Sequence, residues 1–348
     1  MKKVYLSEKM NGMSSNVNLL RFLAAMLVIF CHAFYVSAST EDPLSLFSKG
    51  QTNFGGLAVA IFFFLSGFYV TKSLYKTNTI KEFMWKRCMR IFPQLWIVIF
   101  ITVFVLGPLV TQNSLSEYFS SKGTYAYLLN GILLPIHNLP GVFQLNVYDT
   151  TVNGPLWTLS VEFVAYCTVA VVMFLCKCVF KREKMQKLLH VICFICLIAV
   201  FIGVSVVIKS EFLITVIRPL IMFFVGVIYC DYAERIILNQ WLATIAFLIL
   251  FLGCYFGFLN YAMIVCLPYM IVTFMLGWKQ TKWKLDIFMI SYEMYLLGWP
   301  IQQCFVHLYG GQMNPYLNFA LTLPIDILLA YILYKGIEVI TRKVEKKR

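Results

Sequence analysis

Charge is what this chain has least of. Only 13% of its 348 residues are Asp, Glu, Lys or Arg, about half the usual share in a soluble domain. Hydrophobic residues make up 60% and the mean hydropathy is +0.78, which excludes an ordinary soluble globular protein. Acidic residues are scarcer than basic ones, 16 against 29. Tandem repeats and low-complexity tracts are lacking. The 11 cysteines show no metal-ligand spacing and lie mostly in apolar runs, where free cysteine acts as a small apolar filler. No metal site is expected.

Ten hydrophobic stretches are present instead, near 17–37, 55–74, 91–110, 156–176, 188–208, 212–230, 241–258, 260–277, 287–308 and 317–340. Each is long enough to cross a hydrocarbon core of roughly 30 Å. The expected fold is an all-α integral membrane protein of about ten transmembrane helices. Its expected parts are a cytoplasmic segment at 1–16, a membrane domain at 17–340 and a basic cytoplasmic tail at 341–348. No small-residue cleavage site follows the first apolar run, so that helix is expected to be retained.

The net charge of +13 raises the question of nucleic acid, and its distribution answers it. With the amino terminus inside, 23 of the 29 Lys and Arg fall in inner segments or, as Lys72 does, at an inner helix end, and only Lys49, Lys122 and Lys209 in outer ones. That asymmetry is the positive-inside pattern, and it predicts that both termini are cytoplasmic. No nucleic-acid partner is expected. The basic clusters at 177–187 and 341–348 read as attraction to anionic membrane lipids.

One long outer segment, 111–155, holds Ser, Thr, Asn and Gly clusters and two Leu-Pro turns. Its apolar piece at 125–136 is too short to span, so a re-entrant or interfacial position is expected. Long structured loops often carry function. This one reads equally as an acceptor-binding element or as a cap over the bundle.

Ionisable groups within the spans are expensive there and so invite a functional reading. The first helix carries Arg21 and His32, eleven positions and about 16 Å of rise apart. Arg21 is therefore placed near the inner face and His32 in the outer half. The fourth helix descends from outside, and its WTLSVE puts Glu162 at a depth like that of His32. A carboxylate there needs a partner, and beside His32 it would orient the ring. Ser66-Gly67 falls near the midplane of the second helix, and Glu338 ends the tenth near the level of Arg21. Two layers are expected: Arg21 with Glu338 inside, His32 with Glu162 further out. In the inner loop before the third helix, Arg87 and Arg90 are three apart on one side of a helical turn, and forked arginine donors suit phosphate. Taken singly each residue has a plainer reading. His32 would bond another helix, Arg21 would snorkel, Ser66 would bond its own helix, and Glu338 would pair with a tail lysine. The two arginines would mark only the inner face. Arg218, Glu293 and Asp326 are further intramembrane charges, and His137, His190 and His307 lie in a loop or near helix ends.

These residues resemble the signature of the acyltransferase 3 family, multi-pass membrane enzymes that move acyl groups, usually acetyl, onto extracytoplasmic carbohydrates. Arg21 and His32 resemble its Arg-x10-His. FFFLSGF at 62–68, Arg87-x2-Arg90 followed by Ile91-Phe92-Pro93, and WTLSVEFVAY at 157–166 resemble its later motifs. RPLIMFFVGVIYC, ISYEMYLLGWP and YKGIEVITRK resemble its late helices, so the match extends over nearly the whole chain. One departure stands out: Gly298 occupies the position where the family commonly has His, and His307 is the nearby histidine that remains.

The resemblance implies an inner-membrane O-acyltransferase, of O-acetyltransferase type. It would take acetyl-CoA from the cytoplasm as a substrate rather than as a bound cofactor. The acceptor would be a hydroxyl of a surface glycan or its lipid-linked precursor. It implies His32, Glu162 and Arg21 as catalytic residues, and Arg87, Arg90, Glu338 and Ser66 as donor-binding ones. His32 would act either as general base on the acceptor hydroxyl or through an acyl-His or acyl-Ser66 intermediate. The competing reading is a glycan-precursor transporter, its polar residues lining a path, but no inverted repeat supports it.

Overall fold

A computed structural model describes residues 3–10, 14–77, 79–148, 151–176, 185–280 and 286–345. Ten long helices occur where the ten apolar stretches lie. They are α1 (Ser15–Ala38), α2 (Phe54–Tyr75), α3 (Ile80–Ile101), α4 (Trp157–Phe174), α5 (Met185–Gly203), α6 (Glu211–Asp231), α7 (Gln240–Phe256), α8 (Leu259–Val272), α9 (Ser291–Leu308) and α10 (Pro315–Glu345). Among the described residues there is no strand, only two isolated bridges. Eight helical segments are long and apolar enough to cross a membrane. Gln240–Phe256 is shorter, and α9, which carries Glu293, Gln302 and Gln303, is not among the eight. The chain has the character of an all-α, multi-pass membrane protein.

One boundary differs from the sequence reading. The third helix starts at Ile80, so Arg87 and Arg90 stand on its opening turns rather than in a loop before residue 91. Pro93 does not break it. The helix continues through a π-turn at Thr102–Leu106 to Val110, and similar π-turns extend α5 to Ile208 and α8 to Gly277. The basic cluster at 177–187 lies mostly outside the described residues, as do the side chains of the basic cluster at 341–348.

The helices sort into two compact units. The first comprises residues 1–21, 44–87 and 161–284, the second 22–43, 88–160 and 285–348. In the first unit, α2 and α6 touch backbone to backbone. A Cβ on Gly67 would fall 1.9 Å from the Phe223 carbonyl oxygen, and one on Gly226 would fall 2.2 Å from that of Phe64. Apolar lipid offers little drive for helix association, so close approach at small residues supplies it. Helices α7 and α8 form a hairpin closed by Gly257 at φ +89°, a conformation that glycine adopts without strain. Most of α5 and α7 presents exposed Ile, Val, Leu and Phe, among them Ile195, Val207, Phe247 and Phe251, the outward face a lipid-bathed bundle requires.

The second unit packs α9 against α10 and is capped by the 111–155 segment. That segment is structured throughout its described part. It contains Leu115–Ser120, Lys122–Ala126 and a 3-10 turn at Tyr127–Ile132 that ends on Leu133 in the left-handed region. Asn130 ties this turn down by donating to the carbonyls of Tyr127 and Ile136.

Candidate functional site

In the first unit, one hydroxyl cluster gathers around Glu162. The Ser66 Oγ donates to Glu162 Oε1 at 2.5 Å and lies 2.9 Å from the Tyr166 hydroxyl. Tyr166 donates to the same carboxylate oxygen. Glu162 and Tyr166 are four apart on α4, hence on one face. Ser66 is presented to them from α2, whose neighbouring Gly67 lies directly against α6. Glu162 Oε2 has no partner among the described residues, so one oxygen carries the structural bonds and the other stays available. The Arg87 guanidinium sits over the Tyr166 ring at 5.9 Å and the Phe83 ring at 5.8 Å, and it donates to Ser73 Oγ at 3.3 Å. Arg21 sits over the Tyr69 ring at 5.5 Å. Ser66, Glu162 and Arg87 are therefore brought together, with Tyr166 as their shared neighbour. WTLSVEFVAY contains Tyr166, and its four-residue offset from Glu162 was the signal for it.

A second polar cluster of this unit joins the C-terminal ends of α2 and α6 to the first turns of α5. His190 Nδ1 is 2.7 Å from Asp231 Oδ2, and the Tyr75 hydroxyl donates to Asp231 Oδ1 at 2.5 Å. Both ring and carboxylate are buried. His190 thus fastens helix ends. Arg218 is exposed beside Pro219 and has no hydrogen-bond partner among the described residues.

His32 belongs to the second unit. Its ring stands edge-on to Trp299, with centroids 4.8 Å apart. It is part-exposed, and neither ring nitrogen has a hydrogen-bond partner among the described residues. Trp299 is locked in place: its Nε1 donates to the Thr151 carbonyl at 3.0 Å, and Tyr148 packs at 5.5 Å. Gln303 donates to the carbonyls of Tyr148 and Thr151 at 2.8 and 3.0 Å. Asn146 reaches back to Gln303, and Asn153 to the Leu296 carbonyl. Residues 146–148 and 151–153 are thereby fastened to α9 at the very turn that touches His32. Gly298, the departure from the family pattern, faces Ile29, whose Cγ1 would lie 2.9 Å from an added Cβ. Ile29 thus occupies part of the space a larger side chain would need. Trp299, Gln302 and Gln303 had only the LGWPIQQ string to announce them, and no periodicity distinguishes such residues from core.

Arg90 also lies in the second unit, where its charge acts on Glu293. Glu293 is buried and accepts from Gln94 Nε2 at 3.4 Å. Glu338 pairs with Lys335 at 3.1 Å, and Lys335 also reaches Asp286 at 2.7 Å. These contacts are half-exposed and each is worth little. On α10, Asn318, Thr322 and Asp326 form a fully buried stripe at four-residue spacing. Both Asp326 oxygens lack a hydrogen-bond partner among the described residues. No group of His, Cys, Asp and Glu able to hold a metal ion occurs among the described residues.

With this geometry in hand, comparison with known proteins is informative. A family model described as an acyltransferase domain matches residues 14–335. The chain belongs to the acyltransferase 3 family. Within the acyltransferase 3 family the chain is similar to an O-acetyl transferase of Shigella phage Sf6, 32% identical over 146 residues, 42% of each chain. It is similar to Nodulation protein 10 of Rhizobium leguminosarum bv. viciae, 31% identical over 172 residues, 48% of this chain and 46% of that one. A third relative is the acyltransferase MdmB of Streptomyces mycarofaciens, 25% identical over 149 residues, 43% of this chain and 36% of that one. The matches thus span less than half the length of each of these relatives. No solved structure matches the chain.

Proposed function

We propose that this chain is an inner-membrane O-acetyltransferase, taking acetyl from cytoplasmic acetyl-CoA and placing it on a hydroxyl of a surface glycan or its lipid-linked precursor. The observation that carries this reading is His32. It is a part-exposed imidazole with both nitrogens unpartnered among the described residues, against a tryptophan fastened to the long outer segment. A structural histidine in lipid would have its nitrogens bonded. An imidazole left without partners suits a proton acceptor awaiting substrate. The membership in an acyltransferase family and the likeness to an O-acetyl transferase support the reaction class.

In this reading the Nε2 or Nδ1 lone pair of His32 takes the acceptor's hydroxyl proton. The alkoxide oxygen attacks the thioester carbonyl, the C–S bond breaks, and the imidazolium returns its proton to the departing CoA thiolate. Glu162, held by Ser66 and Tyr166, is the carboxylate that this reading adds to the catalytic set. Arg87 and Arg90, three apart on α3, serve the CoA phosphates at the inner end. Charge-assisted hydrogen bonds contribute roughly 1.5–3 kcal/mol each. Replacing Arg87 and Arg90 with Gln should therefore weaken acetyl-CoA binding at least about tenfold, measured on the detergent-purified chain. Undiminished binding would reduce both arginines to topology signals.

A second route is favoured by the 2.5 Å contact between Ser66 and Glu162. There Glu162 takes the Ser66 proton, Ser66 Oγ attacks the thioester carbonyl, the C–S bond breaks and the departing thiolate takes the proton from Glu162. The acceptor hydroxyl then attacks the acyl-serine, giving its proton back to Ser66 Oγ through Glu162. The two routes separate cleanly. Incubation with acetyl-labelled CoA leaves a hydroxylamine-labile label on the protein only in the acyl-serine route, and Ser66→Ala would remove it.

The overall activity is tested by mass spectrometry of surface glycans from cells with and without the gene. Acetylation that disappears with the gene supports transfer, and unchanged acetylation with altered glycan export would point to a transporter instead.

A further inference from the structure

We propose that Glu293 and Gln94 form the subsite for the pantetheine arm of the acyl donor, accepting hydrogen bonds from its two amide N–H groups. This rests on the acyl-CoA reading above and adds the place where the donor's uncharged arm is gripped.

In the second unit, Glu293 and Gln94 face each other with acceptors to spare. Glu293, in the first turn of α9, is only 2% exposed. Its Oε1 takes a long hydrogen bond from Gln94 Nε2, at 3.4 Å. The other two oxygens of the pair, Glu293 Oε2 and Gln94 Oε1, are buried and have no hydrogen-bond partner among the described residues. A buried acceptor without a donor costs free energy that folding alone does not recover. Two of them on facing side chains call for a ligand that brings two donors.

Position selects which ligand. Gln94 follows Arg90 by four residues on α3, so the two share a face, with Gln94 about 6 Å further along the helix. The Arg90 charge acts on Glu293 as well, so cation and orphan acceptors belong to one neighbourhood. The Tyr292 hydroxyl donates to the Ile91 carbonyl at 2.9 Å and holds the first turn of α9 against α3 at this level. A ligand whose phosphates lie at the basic end of α3 would send its next chemical group past Gln94 and Glu293. In CoA that group is pantetheine, an uncharged chain carrying two secondary amides. A sugar also carries donors, but nothing ties it to the arginine end of α3.

The test compares CoA with adenosine 3′-phosphate 5′-diphosphate, which keeps the phosphates and lacks the arm. Both are measured as competitors of labelled acetyl-CoA on the full-length purified chain. Wild type should bind CoA more tightly than the nucleotide. Glu293→Leu and Gln94→Leu should each lower CoA affinity by about tenfold while leaving the nucleotide's unchanged. Glu293→Gln, which keeps an acceptor, should recover most of the loss. Equal loss for both ligands, or no loss for CoA in either Leu variant, overturns the subsite and leaves the acetyl-CoA reading standing. Wild-type protein that binds no labelled acetyl-CoA overturns that reading itself, and the subsite with it.

Discussion

Single residues decide the chemistry, and Glu162 shows how. Its Oε1 accepts from both Ser66 and Tyr166, so replacement by Gln keeps shape and some hydrogen bonding but removes the charge. Glu162→Gln should leave acetyl-CoA affinity within about twofold and cut single-turnover transfer at least about tenfold, a loss corresponding to roughly 1.4 kcal/mol or more of barrier. A parallel drop in donor binding would instead assign Glu162 to the donor site. Gly298 offers a residue-scale test of packing. Because Ile29 Cγ1 lies 2.9 Å from an added Cβ, Gly298→His should cost about 1–3 kcal/mol of stability, and Ile29→Ala in the same chain should relieve part of it. Thermal unfolding of the two variants in detergent reads this directly; a stable single variant would mean that Ile29 yields without cost.

Helices were legible where their signal was periodic or long. All ten apolar stretches became helices. The third began eleven residues early because its polar opening, IKEFMWKRCMR, carries no apolar run for hydropathy to register. The site was legible in part. Ser66 and Glu162 were visible as polar intrusions in apolar sequence and Arg87 as one of two arginines three apart, whereas Tyr166 and Trp299 look like core aromatics until their partners are known. The α2–α6 contact belongs to this scale. Gly226→Leu would press a side chain onto the Phe64 carbonyl, 2.2 Å from the first added atom. Loss of folded protein from the membrane fraction is expected, and wild-type accumulation would contradict the close approach. In the outer segment, Ser114 and Glu117 form a reciprocal cap on Leu115–Ser120. Hydrogen bonds donated by the Ser114 backbone N–H and hydroxyl hold the Glu117 carboxyl below its usual range. A depressed folded-state value means that the cap's contribution is complete above the unfolded carboxyl's pKa. It is lost as pH falls through the lower, folded one. Protection against hydrogen exchange at residues 115–120, corrected for the intrinsic rate, should therefore fall as pH drops below the ordinary carboxylate range, and Ser114→Ala should abolish that dependence. An exchange rate insensitive to both changes would remove the cap from the stability of this turn.

For the whole molecule, direction across the membrane is the property on which donor and acceptor sides depend. Lys and Arg counts predict that both termini are cytoplasmic. Reporter fusions after Arg348 should report an inner location and labelling at Lys122→Cys an outer one. An external carboxy terminus would reverse the side from which the donor is taken. The central claim is that His32 moves the proton in acetyl transfer. The most direct measurement is glycan O-acetylation by mass spectrometry in cells carrying wild type, His32→Ala or His32→Gln at matched membrane levels. Acetylated glycan should appear only with wild type, since Gln retains hydrogen bonding but supplies no base. Wild-type acetylation by either variant would contradict the assignment of His32.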